Sequence, residues 1–461
     1  MDIKRILWYG GVLFLLISVL WSGYEYQYNG DELIHAQNAY FLTTGMKPFG
    51  DYMSIYTPVF HWLIAPTILI WGKTLLTLHI MRVEMIGLFL IELLFSFALL
   101  TRLFGKRVAI LFLGLILLDP FTTFAGMQIR PDTLMLTLFV AGLWAMTADR
   151  DMLAGLLFGL SALTAIKILP AMFPVCIVLL YKRKYTSIIA ACMPWVIFIG
   201  YFASMGLVVP MVQQLTVDIK YLSDAVQNPT RFGFFYLPDN VYVYGVMGKP
   251  LTWWYVFLLP VLAIGGVFVR VKGRHHLLEI ALVISMFLTF VGLLIPTTAF
   301  IQYYVPLSWF FCVFSAVLLI RIWDLLVSWL KPVALIGAIC MYLLFVQSAF
   351  VANIARAQMT SVPMEQQLMT RWKQVPPTEP VFPNYLFRPA VYPIAVYQMG
   401  DVPPVIRQQF VKPEQELEAH HVKYILLDEP GLTTYDPSTQ AYIRSRYQRV
   451  AGDRDLMIRN Q

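Results

Sequence analysis

The chain has 461 residues, of which 59% are apolar and only 13% charged, with a formal net charge of +7. Soluble domains carry about twice that charged fraction, so an ordinary water-soluble enzyme is excluded. A nucleic-acid binder is excluded too, because the basic residues come in short clusters between apolar runs. The four cysteines, Cys176, Cys192, Cys312 and Cys340, all lie inside apolar runs and show no CxxC spacing. They read as small buried hydrophobes, with no disulfide and no thiolate metal site expected.

Runs of about 17–25 mostly apolar residues read as membrane spans. Lys4 and Arg5 precede the first, Ile6–Trp21, and no small-x-small cleavage site follows, so it is read as an uncleaved span. A long polar and aromatic loop, residues 23–79, comes next. Spans are then predicted over Ile80–Leu103, Val108–Phe124, Thr133–Ala148, Met152–Ile166, Ile168–Tyr181 and Ile188–Leu207. A second loop, residues 208–250, precedes Leu251–Val269, Leu277–Ile295, Val305–Ile322 and Val333–Val351. The predicted fold class is an α-helical polytopic membrane protein of about eleven spans over residues 1–352. From Asn353 the apolar runs shrink to strand length, at Pro380–Tyr385, Lys423–Leu427 and Leu456–Ile458. They alternate with helical stretches at Ala390–Met399, Pro413–His421 and Ser438–Tyr447. That alternation predicts a small α/β domain with a partly parallel sheet over residues 353–461.

The basic clusters set the orientation. Lys4/Arg5, Arg102/Lys106/Arg107, Arg150, Lys182–Lys184, Arg270/Lys272/Arg274 and Arg321 fall on alternate turns, which puts the N-terminus in the cytoplasm. Both long loops, the Arg130 turn, Lys167 and the tail then share the extracytoplasmic side.

The first loop carries the densest chemistry. Asp31 and Glu32 are adjacent carboxylates soon after span one. Asn29-x-x-Glu32 has the spacing of a capping box, which predicts a helix over about Glu32–Thr44. A carboxylate there could serve as a general base for a hydroxyl, and a capped helix start is a rigid mount for one. Asp31 and His35 are one helical turn apart. They could be half of a divalent metal site completed by His61 or Asp51, or a hydrogen-bonded pair that holds the loop. Further on, Arg130 and Asp132 open a span, as an ion pair that anchors the turn or as cavity-facing groups. Lys167 sits between two short apolar runs, where it either snorkels or meets an anion such as phosphate. Arg231 with its aromatic neighbours, and Gln302-Tyr303-Tyr304, add polar tips to the same side. No Walker motif is present, which argues against an ATP-driven pump.

Taken together these motifs resemble the GT-C superfamily of membrane glycosyltransferases. The resemblance is to the branch of dolichyl-phosphate-mannose protein mannosyltransferases and the bacterial transferases that add aminoarabinose to lipid A. It rests on Asp31-Glu32, Ala36-x-Asn38-Ala39, Gly45, Pro48, Tyr56-Thr57-Pro58, His61-Trp62-Leu63, Arg130-Pro131-Asp132 and Gly159-Leu160-x-Ala162-Leu163-Thr164 before Lys167. Thr164 and Lys167 are separated by Ala165 and Ile166, where the family usually has the pair adjacent. The resemblance implies an inverting transfer from a polyprenyl-phosphate sugar to a hydroxyl of a glycan, lipid or protein, in a bacterial plasma membrane. It implies Asp31 as the base, with Glu32 orienting, and Arg130, Lys167 and Arg231 on the donor phosphate. His35, Tyr56, His61, Asp132, Tyr303 and Tyr304 become substrate contacts, and Asp31, His35 and Asp132 the ligands of a divalent metal if one is used. Two other readings stay open. A non-enzymatic translocator of lipid-linked sugar predicts charges strung through the middle of spans. A polysaccharide polymerase or ligase with diphosphate-linked donors predicts arginine-dense outer loops, and the second loop has only Arg231.

Overall fold

The computed structural model of the protein describes residues 3–218, 257–269, 275–295, 301–383, 385–390 and 412–460. In chain order the helices are α1 (Ile3–Glu25), α2 (Gly30–Thr43), α3 (Val59–Trp71), α4 (Leu75–Phe104), α5 (Lys106–Leu118), α6 (Pro120–Ala125), α7 (Pro131–Thr147) and α8 (Asp151–Thr164). A 3-10 turn, Ile166–Ile168, leads into α9 (Leu169–Tyr181), α10 (Tyr185–Ser204) and α11 (Val208–Gln213). Then come α12 (Leu259–Val267), α13 (His276–Leu293), α14 (Val305–Gln358) and α15 (Val362–Gln374). Among the described residues five segments are long and apolar enough to cross a bilayer: Leu75–Phe104, Tyr185–Ser204, His276–Leu293, Gln302–Val327 and Leu335–Gln358. They fall on five of the runs expected from sequence. The protein is a helical integral membrane protein.

The described chain forms two compact units, each discontinuous in sequence. The first comprises Met1–Gln27, Arg82–Ile197 and Asn228–Thr360. It is a helical bundle, as it must be where no water can satisfy backbone groups. Its hydroxyls bond carbonyls of neighbouring helices: Ser161 to Met135 at 2.7 Å, Ser285 to Ala171 at 2.6 Å and Ser315 to Leu259 at 3.0 Å. Gly155 and Gly159 let α8 press against α10. A Cβ on either would stand 1.9 or 2.2 Å from the carbonyl oxygen of Ser187 or Ala191, the small-xxx-small contact of membrane helices. The expected third span, Val108–Phe124, is broken in two. Pro120 cannot continue the hydrogen-bond ladder of α5, and Asp119 caps α6 by accepting the Thr122 N–H at 2.8 Å.

Helix α14 covers both of the last two expected spans and contains Pro332. Drawn straight, it would separate Tyr304 from Arg356 by about 78 Å. Yet Tyr304 stacks on Phe121 at 5.1 Å and Arg356 lies over Phe124 at 5.7 Å, and both rings belong to six-residue α6. The helical run therefore folds back on itself. Its first half runs antiparallel to α5, with Trp309 on Phe112 and Arg107 paired to Asp324. Its second half runs alongside α1, with Phe350 near Phe14 and Asn353 bonded to Ser18 and Ser22. The bundle thereby has two chemically different ends. Arg107–Asp324 and Lys184–Asp151 occupy one. Arg130, Asp132, Lys167, Tyr303, Tyr304 and Arg356 occupy the other.

The second unit comprises Tyr28–Met81, Phe198–Gln227 and Ser361–Gln461. Its sheet has the order β1-β2-β4-β3, from Val381–Phe382, Tyr424–Leu426, Tyr447–Arg449 and Leu456–Arg459. β1 and β2 are parallel and the remaining pairs antiparallel. The expected helix at Pro413–His421 is present as Pro413–Ala419, and that at Ser438–Tyr447 as Pro437–Arg446. The expected helix at Ala390–Met399 falls outside the described residues but for Ala390. Phe382, Ile425, Leu432, Ile443 and Met457 form the core of this part, and Met53 from the first loop joins it. Gln37 on α2 ties the loop to the tail, bonding the Arg388 carbonyl at 3.0 Å and the Phe387 N–H at 2.7 Å.

Candidate active site

The first constellation sits at the start of α2 in the second unit. Asn29 is the N-cap, and the capping box is complete. Asn29 accepts the Glu32 N–H at 2.9 Å, and the Glu32 carboxylate accepts the Asn29 N–H at 3.0 Å. Glu32 is fully buried in that task. Asp31, at the second helical position, is half-buried and lies outside the box. The two adjacent carboxylates are thus separated by role, and acids there also favour the helix dipole.

One turn on, His35 Nδ1 meets His61 Nε2 at 3.0 Å. One imidazole must donate and the other accept, so the contact excludes a doubly protonated pair. Both rings are fully buried. His35 also packs on Tyr56, with centroids 4.7 Å apart, and on Phe60 at 5.5 Å. This pair joins α2 to α3, and half-buried Tyr56 is the member with access to a ligand.

A second constellation lies in the first unit. Asp132, 1% exposed, opens α7 and receives two cations. Arg130 Nε approaches Asp132 Oδ2 at 3.4 Å, and the Lys167 ammonium bonds Asp132 Oδ1. Lys167, on the 3-10 turn, also donates to the Gln302 carbonyl at 3.4 Å and stands 4.9 Å above the Tyr303 ring. Lys167 thus meets a carboxylate of the protein itself, Asp132. Tyr304 is buried in its stack on Phe121. Arg231 lies outside the described residues. Among the described residues no three His, Cys, Asp or Glu side chains come together as a metal-holding group.

Several polar contacts were not signalled by sequence spacing. Tyr28 shares a hydrogen bond of 3.3 Å with His79 Nδ1, and His79 Nε2 lies 3.3 Å from Glu365 on α15. This chain fixes the residue just before the N-cap from 337 positions away along the sequence. Arg82, 1% exposed, bonds the carbonyls of Tyr24, Tyr26 and Gln27 and so fixes where α1 ends. A buried arginine in an apolar helix was the available signal.

The sequence profile of glycosyltransferase family 87 matches residues 55–297, more than half of the chain. This chain belongs to glycosyltransferase family 87. The family-87 match takes in Tyr56, His61, Arg130, Asp132, Lys167 and Arg231; Asp31, Glu32 and His35 precede it, and Tyr303 and Tyr304 follow it. No curated protein matches the chain in sequence. Among solved structures it is similar to ArnT from Cupriavidus metallidurans in the apo state, at 14% identity and TM-score 0.56, covering 99% of this chain and 97% of that one. The same protein bound to undecaprenyl phosphate matches at 12% identity and TM-score 0.55, with the same coverage. The oligosaccharyltransferase of Archaeoglobus fulgidus, tethered with an acceptor peptide, matches at 12% identity and TM-score 0.55, covering 99% of this chain and 74% of that one. All are GT-C-fold glycosyltransferases, and at these identities the likeness is one of fold. The GT-C resemblance read from the sequence therefore holds for family and fold.

Proposed function

We propose that this family-87 protein is an inverting glycosyltransferase that moves a sugar from a polyprenyl-phosphate donor to a hydroxyl acceptor on the extracytoplasmic face. Asp31 takes the proton of the acceptor hydroxyl as its oxygen forms a bond to the anomeric carbon. The bond from that carbon to the phosphate oxygen breaks, and the lipid phosphate leaves with the electron pair. Arg130 and Lys167 stabilise the departing phosphate, and Asp132 holds both cations in place before it arrives. Arg231 is proposed for the same task from its sequence position alone. Tyr56 and Tyr303 are the proposed sugar contacts. His35 and His61 support Tyr56, and Tyr304 supports Tyr303. Lipid carriers in the likened structures, undecaprenyl phosphate with ArnT and dolichol phosphate with the Archaeoglobus fulgidus enzyme, favour a donor of this class.

The observation that carries the reading is the division of labour at α2. Glu32 caps the helix, while Asp31 stands one residue away on the same rigid turn and outside the box. Asp31→Asn keeps shape and leaves the Asn29–Glu32 capping box intact but removes the base. In a purified, donor-saturated assay with a hydroxyl acceptor it is expected to lose about 10²–10⁴-fold in rate. Glu32→Gln keeps the capping box, since Gln serves at that position, and is expected to stay within about tenfold of the parent. Full activity in Asp31→Asn would return the acidic pair to a structural role.

A further inference from the structure

The proposed chemistry has no use for Arg356. It lies in the last turn of α14 and is 4% exposed. Five arginines are buried among the described residues, and four of them meet oxygen acceptors. Arg82 and Arg388 bond carbonyls, and Arg130 and Arg371 bond carboxylates. Arg356 differs. Its Nε and Nη1 are buried with no hydrogen-bond acceptor, and its group stands over the Phe124 ring at 5.7 Å. An aromatic face attracts a guanidinium but accepts few of its five N–H groups. A buried charge in that condition opposes folding, and replacing it with an apolar side chain is expected to stabilise.

Its position says what would complete it. The Tyr26 ring meets the same Phe124 edge-on at 5.5 Å, so Arg356 belongs to the junction where α1 and α6 both end. This is the end of the first unit that also holds Lys167 and Arg130, whose carboxylate, Asp132, is already shared between them. Arg356 also terminates an apolar segment, Leu335–Gln358, long enough to cross a bilayer. Head-group phosphates lie at such a level. A guanidinium fork matches phosphate oxygens in geometry and charge.

We infer that Arg356 anchors a second anion site in the first unit, and that its ligand is the phosphate of an anionic phospholipid. The inference stands on Arg356 and its neighbours and not on the transferase reading, so lipid binding tests it without any measurement of sugar transfer.

The test uses the full chain, delipidated and placed in phosphatidylcholine nanodiscs, with phosphatidylglycerol titrated in. Melting temperature and retained lipid by native mass spectrometry are the readouts. The parent is expected to gain melting temperature and to retain phosphatidylglycerol. Arg356→Met is expected to melt at or above the parent in pure phosphatidylcholine. It should then need about tenfold or more additional phosphatidylglycerol for the same rise, the size of a lost charge-assisted contact. An undiminished response in Arg356→Met would overturn the site. So would a marked loss of stability, or failure to fold, of that variant in phosphatidylcholine, which would make Arg356 a structural group. A parallel arm adds inorganic phosphate without anionic lipid. An equal rise there would assign the site to free phosphate and overturn its lipid part. Arg356→Lys keeps the charge and loses the fork, and a response intermediate between parent and Arg356→Met supports phosphate recognition.

Discussion

At the scale of single residues, adjacent acids and shared cations have been given different tasks by their hydrogen bonds. Lys167 is partly exposed, whereas the Asp132 carboxylate it bonds is almost fully enclosed. Lys167→Ala is expected to weaken donor use by about 1–3 kcal/mol, read as a rise in donor KM with normal protein levels. Asp132→Asn acts differently, because it leaves two buried or half-buried cations facing each other. Donor-free protein should lose about 3–5 kcal/mol of stability, and added donor should restore more of it than in the parent; paired thermal melts check this. In the second unit Arg371 bonds Asp453 and, at 3.1 Å, Asp455. The guanidinium and two backbone N–H groups outweigh burial and hold the Asp453 carboxyl well below the usual carboxylate range. A depressed folded pKa contributes stability that is present above the unfolded value, about 3.9, and is lost as pH falls toward the folded one. Asp453→Asn should therefore cost about 2 kcal/mol at neutral pH and progressively less below pH ~4, in urea titrations across that range. Arg130, Asp132 and Lys167 of the proposed site stood out in the sequence because they interrupt apolar runs, and Asp31 and Glu32 because they carry a capping-box spacing. His79 was not, because its partner Glu365 is 286 residues distant and no local spacing joins them.

At the scale of elements, the apolar runs were legible since a bilayer demands about twenty such residues at a stretch. Helix ends were less so. Asp119-Pro120 broke one expected span, and it could be seen in advance only by weighing a proline and a cap against a continuous apolar pattern. β3 was missed because Tyr447–Arg449 carries one inward side chain and two charged or polar ones. The reversal inside α14 agrees with the two separate spans expected over Val305–Ile322 and Val333–Val351, and the aromatic contacts at its two ends carry it. Close approach of α8 to α10 is a testable element-scale claim. Gly159 faces the Ala191 backbone, so no rotamer of a larger side chain relieves the clash. Gly159→Leu should force the helices apart and lower the melting temperature by several degrees or more, as overpacking costs about 1–3 kcal/mol. Gly200, with open space around its Cβ position, is the control and should tolerate Leu.

At the scale of the whole molecule, the basic clusters on alternate turns of the sequence lead us to propose a cytoplasmic N-terminus and an extracytoplasmic tail. Ser438 is exposed on the tail. In a background lacking Cys176, Cys192, Cys312 and Cys340, Ser438→Cys should react with a membrane-impermeant thiol reagent in intact cells. Labelling that appears only after permeabilisation would reverse the orientation, and the proposed side of catalysis with it. The link between the first and last helices of the bundle bears on how the chain is made. Ser18 and Ser22 donate to carbonyls three residues back at 2.9 Å, so α1 can wait in lipid with its hydroxyls satisfied. Asn353 bonds these two serines, more than 330 residues upstream. Asn353 is therefore synthesised when both of its partners are already in the membrane. A chain stopped short of α14 would leave Ser18 and Ser22 without the side chain that joins the first helix to the last.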